Sequence, residues 1–169
     1  LPDIPIIALT ATATAPVVKD MQEKLSFRKQ SKVFQKSFAR DNLSYVVLYE
    51  ENKRAKMVEI LKNVGGSGVV YVQNRRETKD VAYYLYQNGI SADYYHAGRS
   101  GDIRNKVQES WIKNKVRIIV ATNAFGMGID KPDVRVVVHL TLPDSLEAYF
   151  QEAGRAGRDG IKSWAILLF

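Results

Sequence analysis

Residues 68–96, GVVYVQNRRETKDVAYYLYQNGISADYYH, decide the fold. GVVYV is short, apolar and rich in β-branched side chains, the pattern of a strand buried on both faces. Asn74 and Glu77 then form a capping-box pair that opens a helix over 75–88, which Gly89 closes. Residues 92–96, ADYYH, return to a strand. Strand, helix and strand at this spacing make a βαβ unit, whose two strands run parallel.

The same alternation extends in both directions. On the N-terminal side come a strand at 43–49 and a helix at 53–64, with Val58, Leu61 and Val64 on one side and Gly65 as its stop. On the C-terminal side the reading gives a helix at 102–113, buried strands at 116–121 and 134–140, a helix at 145–153 and a last strand at 163–169. The fold expected is α/β: a doubly wound parallel sheet with helices on both faces. Ahead of this series, IPIIAL (4–9) reads as a buried strand fenced by prolines. TATAT (10–14) follows, with Thr14 as cap of a helix whose first turn tolerates Pro16 and whose apolar face is Val17, Val18, Met21 and Leu25. A short strand near 32–36 and the polar link FARDNL (38–43) complete this part, and the organisational break is placed at that link.

Composition narrows the function. The 169 residues imply one domain with a piece of a neighbour attached, and both ends fall in apolar segments, as in a fragment of a longer chain. A net charge of +7 favours a polyanionic partner such as nucleic acid or nucleotide. The absence of cysteine removes disulfides, thiolate metal sites and a Cys nucleophile. His96 and His139 lack the spacing to carboxylates that marks a metal site, and structural roles are the simpler reading of both. No apolar run reaches the ~20 residues of a membrane helix.

In an open parallel sheet, ligands bind beyond the carboxyl ends of the strands. Three loops belong on that rim: QNRR from Gln73, AGR from Ala97, and TNAFGMGID from Thr122 to Asp130. Hydroxyls, amides, arginines and glycines together there suit phosphate oxygens. Simpler readings stand beside this one: Asn74 as helix cap only, Gly126 and Gly128 as turn geometry, Asp130 as a cap before Pro132, and Tyr83, Tyr84 and Tyr86 as half-buried helix residues.

QEAGRAGRDG (151–160) is the last polar cluster. Arg155 and Arg158, three apart, would share a face if helical, and Gly154 and Gly157 would allow a close approach. Paired guanidinium groups suit a polyphosphate, whereas a frayed helix end with two surface arginines is the plain alternative. The chain has neither a GxxxxGK[ST] phosphate loop nor a DExx stretch after a strand. A complete nucleotide-hydrolysing site is therefore excluded, and what the chain can supply is the trans half, an arginine finger for a site built by another lobe.

ALTATAT (8–14), VATNAFGMGIDKPDVRVVVH (120–139) and YFQEAGRAGRDG (149–160) closely resemble the RecQ family of superfamily 2 DNA helicases. VYVQNRRETKDVAYYL and YYHAGR look like that family's intervening motifs, so the resemblance runs the length of the chain. DEAD-box RNA helicases spell the arginine motif differently (HRxGRxGR). The resemblance implies a RecA-like fold, with residues 1–38 the tail of the first lobe and 39–169 the second, the helicase C-terminal lobe. It implies 3′ to 5′ unwinding of DNA, single-stranded or 3′-tailed, driven by ATP and Mg²⁺ held mainly by the first lobe of the same parent chain. Zinc would belong only to a downstream module.

Residue by residue, the resemblance makes Arg158 the finger, Arg155 a second γ-phosphate or interlobe contact, and Gln151 part of the same surface. Gly128 and Asp130 would approach the nucleotide. Asn74, Arg75, His96, Gly98, Thr122 and Asn123 would face DNA, and Thr12, Ala13 and Thr14 would couple the lobes. Two departures stand out: Asp41 where RPNL has proline, a change expected to loosen the link, and Arg99 where leucine is common. The expected setting is intracellular, at the bacterial nucleoid or in a nucleus, without a membrane, as a monomeric fragment. The alternatives are an RNA helicase or translocase lobe, or a non-catalytic nucleic-acid-binding module.

Overall fold

The computed structural model describes residues 4–10, 13–28, 30–35, 37, 39–126 and 129–169. They divide into two compact units, residues 1–39 and 40–169. The first holds one helix, α1 (Ala15–Lys24), with Pro16 in its first turn. Thr14 is its N-cap residue, but the hydroxyl makes no capping bond; the Thr14 carbonyl accepts from Val18 N–H at 3.0 Å. No described residue of this unit is buried.

Two strands expected here are not formed. Residues 4–10 and 31–35 have no strand pairing, and Ile7 and Leu9 are 81% and 90% exposed. An apolar run becomes a strand only where another strand accepts its backbone groups, and the sheet consists entirely of strands from the second unit.

The second unit follows the predicted alternation. Its elements are β1 (Leu43–Leu48), α2 (Lys53–Asn63), β2 (Ser67–Tyr71), α3 (Arg75–Gln87), β3 (Ala92–Tyr95), α4 (Gly101–Ile112), β4 (Ile118–Ala121), β5 (Val134–His139), α5 (Leu146–Ala153) and β6 (Ser163–Leu168). The strands form one parallel sheet in the order β1-β6-β5-β2-β4-β3. Boundaries agree with the sequence reading to a residue or two. The left-handed residue after α2 is Gly66, at φ +78°, rather than Gly65.

The two-residue period of the strands builds two cores. Val70, Ile118, Val120, Val136, Val138 and Ile166 face α2 and α3, where Met57, Leu61, Val81 and Leu85 cover them. Val69, Tyr71, Ile119, Val137 and Ala165 face the other way, toward Val107 and Trp111 of α4 and Ala153 of α5. Helices therefore lie on both faces, which is the doubly wound arrangement. Chain direction across the sheet reverses between β2, whose helix leads to β3 on one side, and β5, whose helix leads to β6 on the other. The carboxyl ends of β2 and β5 therefore flank the crevice where this class of sheet binds ligands.

Candidate nucleotide and nucleic-acid interface

Polar residues gather at both ends of the sheet. At the carboxyl end, Asn74 caps α3, its Oδ1 accepting from Glu77 N–H at 2.9 Å. The cap reading holds, and the cap leaves the side-chain NH₂ as a donor. Arg75, His96 and Gly98 converge: a Cβ on Gly98 would lie 2.9 Å from Arg75 Nη1 and 3.2 Å from His96 Nδ1. That ring nitrogen accepts from Gly98 N–H at 3.1 Å, and the ring stacks on Tyr94 at 5.8 Å. Burial, then the positive charges of Arg75 and Arg99, hold His96 below the ordinary histidine pKa. The charge that Arg99 adds is taken up locally by Asp93 at 3.2 Å and by the Tyr94 ring at 4.1 Å.

The loop after β4 does not stay on this rim. Thr122 is 92% covered, and its hydroxyl accepts from Ala124 N–H at 3.4 Å, while Asn123 is exposed beside a crevice of about 90 Å³. Phe125 anchors the loop in the core between Tyr95 and Trp111, with ring centroids 4.9 and 5.4 Å away. Asp130, which precedes Pro132 and β5, lies toward the amino end beside Arg158. Gly128 and Thr12 lie outside the described residues; Ala13 is half-buried and Thr14 exposed.

The arginine cluster lies at the amino end of the sheet. α5 stops at Ala153 with Gly154 as its C-cap, so Arg155 and Arg158 occupy a turn and do not share a helical face. Gln151 is exposed on the last turn of α5. Gly157 N–H donates to the carbonyl of Val134, the first residue of β5, at 2.8 Å, and Asp159 N–H to Pro132 at 3.2 Å. Two residues ahead of β1 clasp the turn from outside. Arg40 Nη2 donates to Ala156 O at 2.6 Å, and Asn42 Nδ2 to Gly157 O at 2.7 Å and Ile161 O at 3.0 Å. Asp41, between them, is exposed, and the clasp uses its neighbours.

The two arginines differ in surroundings. Arg158 is partly exposed and pairs with Asp130 at 2.9 Å; the Asp130 side chain is 80% exposed, so the pair contributes at most about 1 kcal/mol and is readily exchanged. Arg155 is 8% exposed, and its Nε is buried with no partner among the described residues. Its Nη2 would lie 3.6 Å from a Cβ on Gly126, so this side chain reaches back from the turn to the β4 loop.

Behind the carboxyl end stands a buried group of which sequence reading named only His139, as structural. His139, at the end of β5, bonds Glu152 of α5 through Nε2 at 2.8 Å, and its Nδ1 is buried without a partner among the described residues. Tyr71, at the end of β2, stacks on His139 at 5.1 Å and 15°. The Tyr71 hydroxyl donates to Phe125 O at 2.9 Å. Burial raises its pKa, against the pull of nearby Arg155, so it stays protonated and able to donate. The available signal was a Tyr and a His near the carboxyl ends of two mainly apolar strands, GVVYV and VRVVVH.

Among the described residues there is no group of three or more His, Asp or Glu able to hold a metal ion, and no helix long and apolar enough to cross a membrane.

Residues 52–160 match the helicase conserved C-terminal domain family. The chain is 49% identical over 171 residues to the RecQ-like DNA helicase blm-1 of Caenorhabditis elegans, a match covering 99% of this chain and 17% of that protein. It is 42% identical over 171 residues to the ATP-dependent DNA helicase RecQ of Bacillus subtilis, covering 100% of this chain and 29% of that protein. The chain thus spans less than a third of the length of either relative. In fold it is similar to the RNA-helicase Prp28 from Chaetomium thermophilum, with a TM-score of 0.69 at 24% identity over 93% of this chain and 39% of that one, so the parallel sheet is of the RecA-like kind. The chain belongs to the helicase conserved C-terminal domain family, and over nearly its whole length it is similar in sequence to RecQ-like DNA helicases.

Proposed function

We propose that residues 39–169 are the second motor lobe of an ATP-dependent 3′ to 5′ DNA helicase and that residues 1–38 are the tail of the first. The observation that carries this reading is the division of the polar residues. A phosphate-suited group (Asn74, Arg75, His96, Gly98, Thr122 and Asn123) sits at one end of the sheet. A clasped arginine turn sits at the other, with residues 122–126 reached by Arg155 and Asp130 paired with Arg158. A motor lobe needs this pairing, since one surface must hold the strand while another senses the nucleotide.

Arg158 is the arginine finger, released from its weak pair with Asp130 when the lobes close on ATP. Arg155 is the second γ-phosphate or interlobe contact; an enclosed guanidinium with an unpartnered Nε fits a phosphate oxygen arriving from outside the chain. Gln151 shares that surface, Asp130 and Gly128 approach the nucleotide, and Thr12, Ala13 and Thr14 couple the lobes. ATP with Mg²⁺, held mainly by the first lobe, supplies the phosphoryl group whose transfer to water drives the motor. Lacking the phosphate loop and acidic motif, residues 1–169 alone hydrolyse nothing. The setting is intracellular, wherever DNA is handled.

The substrate class is tested by the ATPase of the full-length protein with single-stranded DNA and with RNA of the same length. DNA should stimulate turnover and RNA should not. Equal or greater stimulation by RNA contradicts the proposal and favours an RNA-directed motor.

A further inference from the structure

One buried hydroxyl stands where the β4 loop and the side chain of Arg155 approach each other. Tyr71 Oη donates to Phe125 O at 2.9 Å, and at the next residue, Gly126, an added Cβ would lie 3.3 Å from Asn123 O and 3.6 Å from Arg155 Nη2. The Phe125–Gly126 peptide is thus held by Tyr71 on one side and faced by Arg155 on the other. Tyr71 cannot drift, because it is 3% exposed and its ring is stacked on His139, itself fixed by Glu152 just before the arginine turn. A phenol both donates and accepts, so it can serve the carbonyl and the guanidinium together. A broken bond in so dry a place leaves a polar group unmatched, which favours joint over independent movement.

We infer that Tyr71 is a positioning residue that makes the 122–126 loop and the 154–158 turn move as one body, so that a strand held at the carboxyl end alters the placement of Arg155 at the other. It touches neither nucleotide nor strand. The inference rests on the proposed motor reading for its purpose, but the joint itself is testable without it.

The test is amide hydrogen exchange in the full-length protein, comparing Tyr71→Phe, which keeps the ring and its stacking, with Arg155→Ala. Each should speed exchange by about tenfold at Ala124–Gly126 and at Arg155–Gly157 together, with Val69 and Val137 in the strand cores unchanged. Unchanged exchange, a response in only one segment, or acceleration throughout the sheet would each overturn the joint. In DNA-stimulated turnover, Tyr71→Phe should lower kcat about tenfold on the native background and add nothing to Arg155→Ala. Equal losses on both backgrounds would contradict action through Arg155. If the exchange pattern appears but the unaltered protein shows no DNA-stimulated turnover, the motor reading fails and the joint stands.

Discussion

At His96 the local electrostatics bear directly on the proposed strand contact. Held below the usual value of about 6.5 by burial and by Arg75 and Arg99, it is neutral in the folded chain where the unfolded chain is partly protonated. In the window just below that value the unfolded state binds more protons, so this residue's contribution to stability rises with pH toward 6.5 and is lost as pH falls. A phosphate among Arg75, His96 and Gly98 would oppose that depression. NMR titration should therefore give a His96 pKa below 6.5 in the free protein and a higher one with a single-stranded oligonucleotide bound. A value at or above 6.5 without DNA, or no movement on adding it, would remove His96 from the strand-binding surface. Sequence put His96 and Gly98 near one another by adjacency, but the arrival of Arg75 beside them depends on β2 and β3 ending on the same rim, with β4 between them, which no local pattern encodes.

The arginine turn shows how an element is specified from a distance. Gly157 has φ +66°, and a Cβ there would lie 2.5 Å from Asn42 Nδ2. Alanine at this position meets both the left-handed backbone cost and the clash, and Gly157→Ala should destabilise the second unit by about 2 kcal/mol or more in urea unfolding. A change below about 0.5 kcal/mol, the scale of a neutral surface substitution, would show that the clasp is dispensable. Gly154 and Gly157 had been read as room for another backbone or a ligand; at Gly157 the room is taken by the chain's own Asn42. α3 was legible because Asn74 caps it through a local bond. The same logic at Asn52 and Ser145, which cap α2 and α5, was available and passed over. The shared helical face of Arg155 and Arg158 was misread because α5 ends at Ala153, a stop set by the backbone bonds of the turn to Val134 and Pro132 rather than by nearby residues.

At the scale of the molecule, alternation alone gave the parallel doubly wound sheet, since near-continuous apolar strands separated by helices have few other ways to bury both faces. It failed in residues 4–10 and 31–35, where apolar composition was present but a pairing edge was not. The rim rule put Asn74, Arg75, Gly98, Thr122 and Asn123 at the carboxyl ends of the strands, where the structure has them, and misplaced Asp130, which lies beside Arg158 at the opposite end. In the proposed reading the lobe has two working ends, and the claim that ties them into a motor is that the arginine turn completes a nucleotide site built elsewhere. The most direct measurement is DNA-stimulated ATP turnover of the full-length protein carrying Arg158→Ala, with ATP binding followed in parallel. Turnover should fall by roughly 10³-fold or more while ATP still binds. Turnover that survives the substitution, or ATP binding lost along with it, would contradict the assignment of Arg158 as the finger.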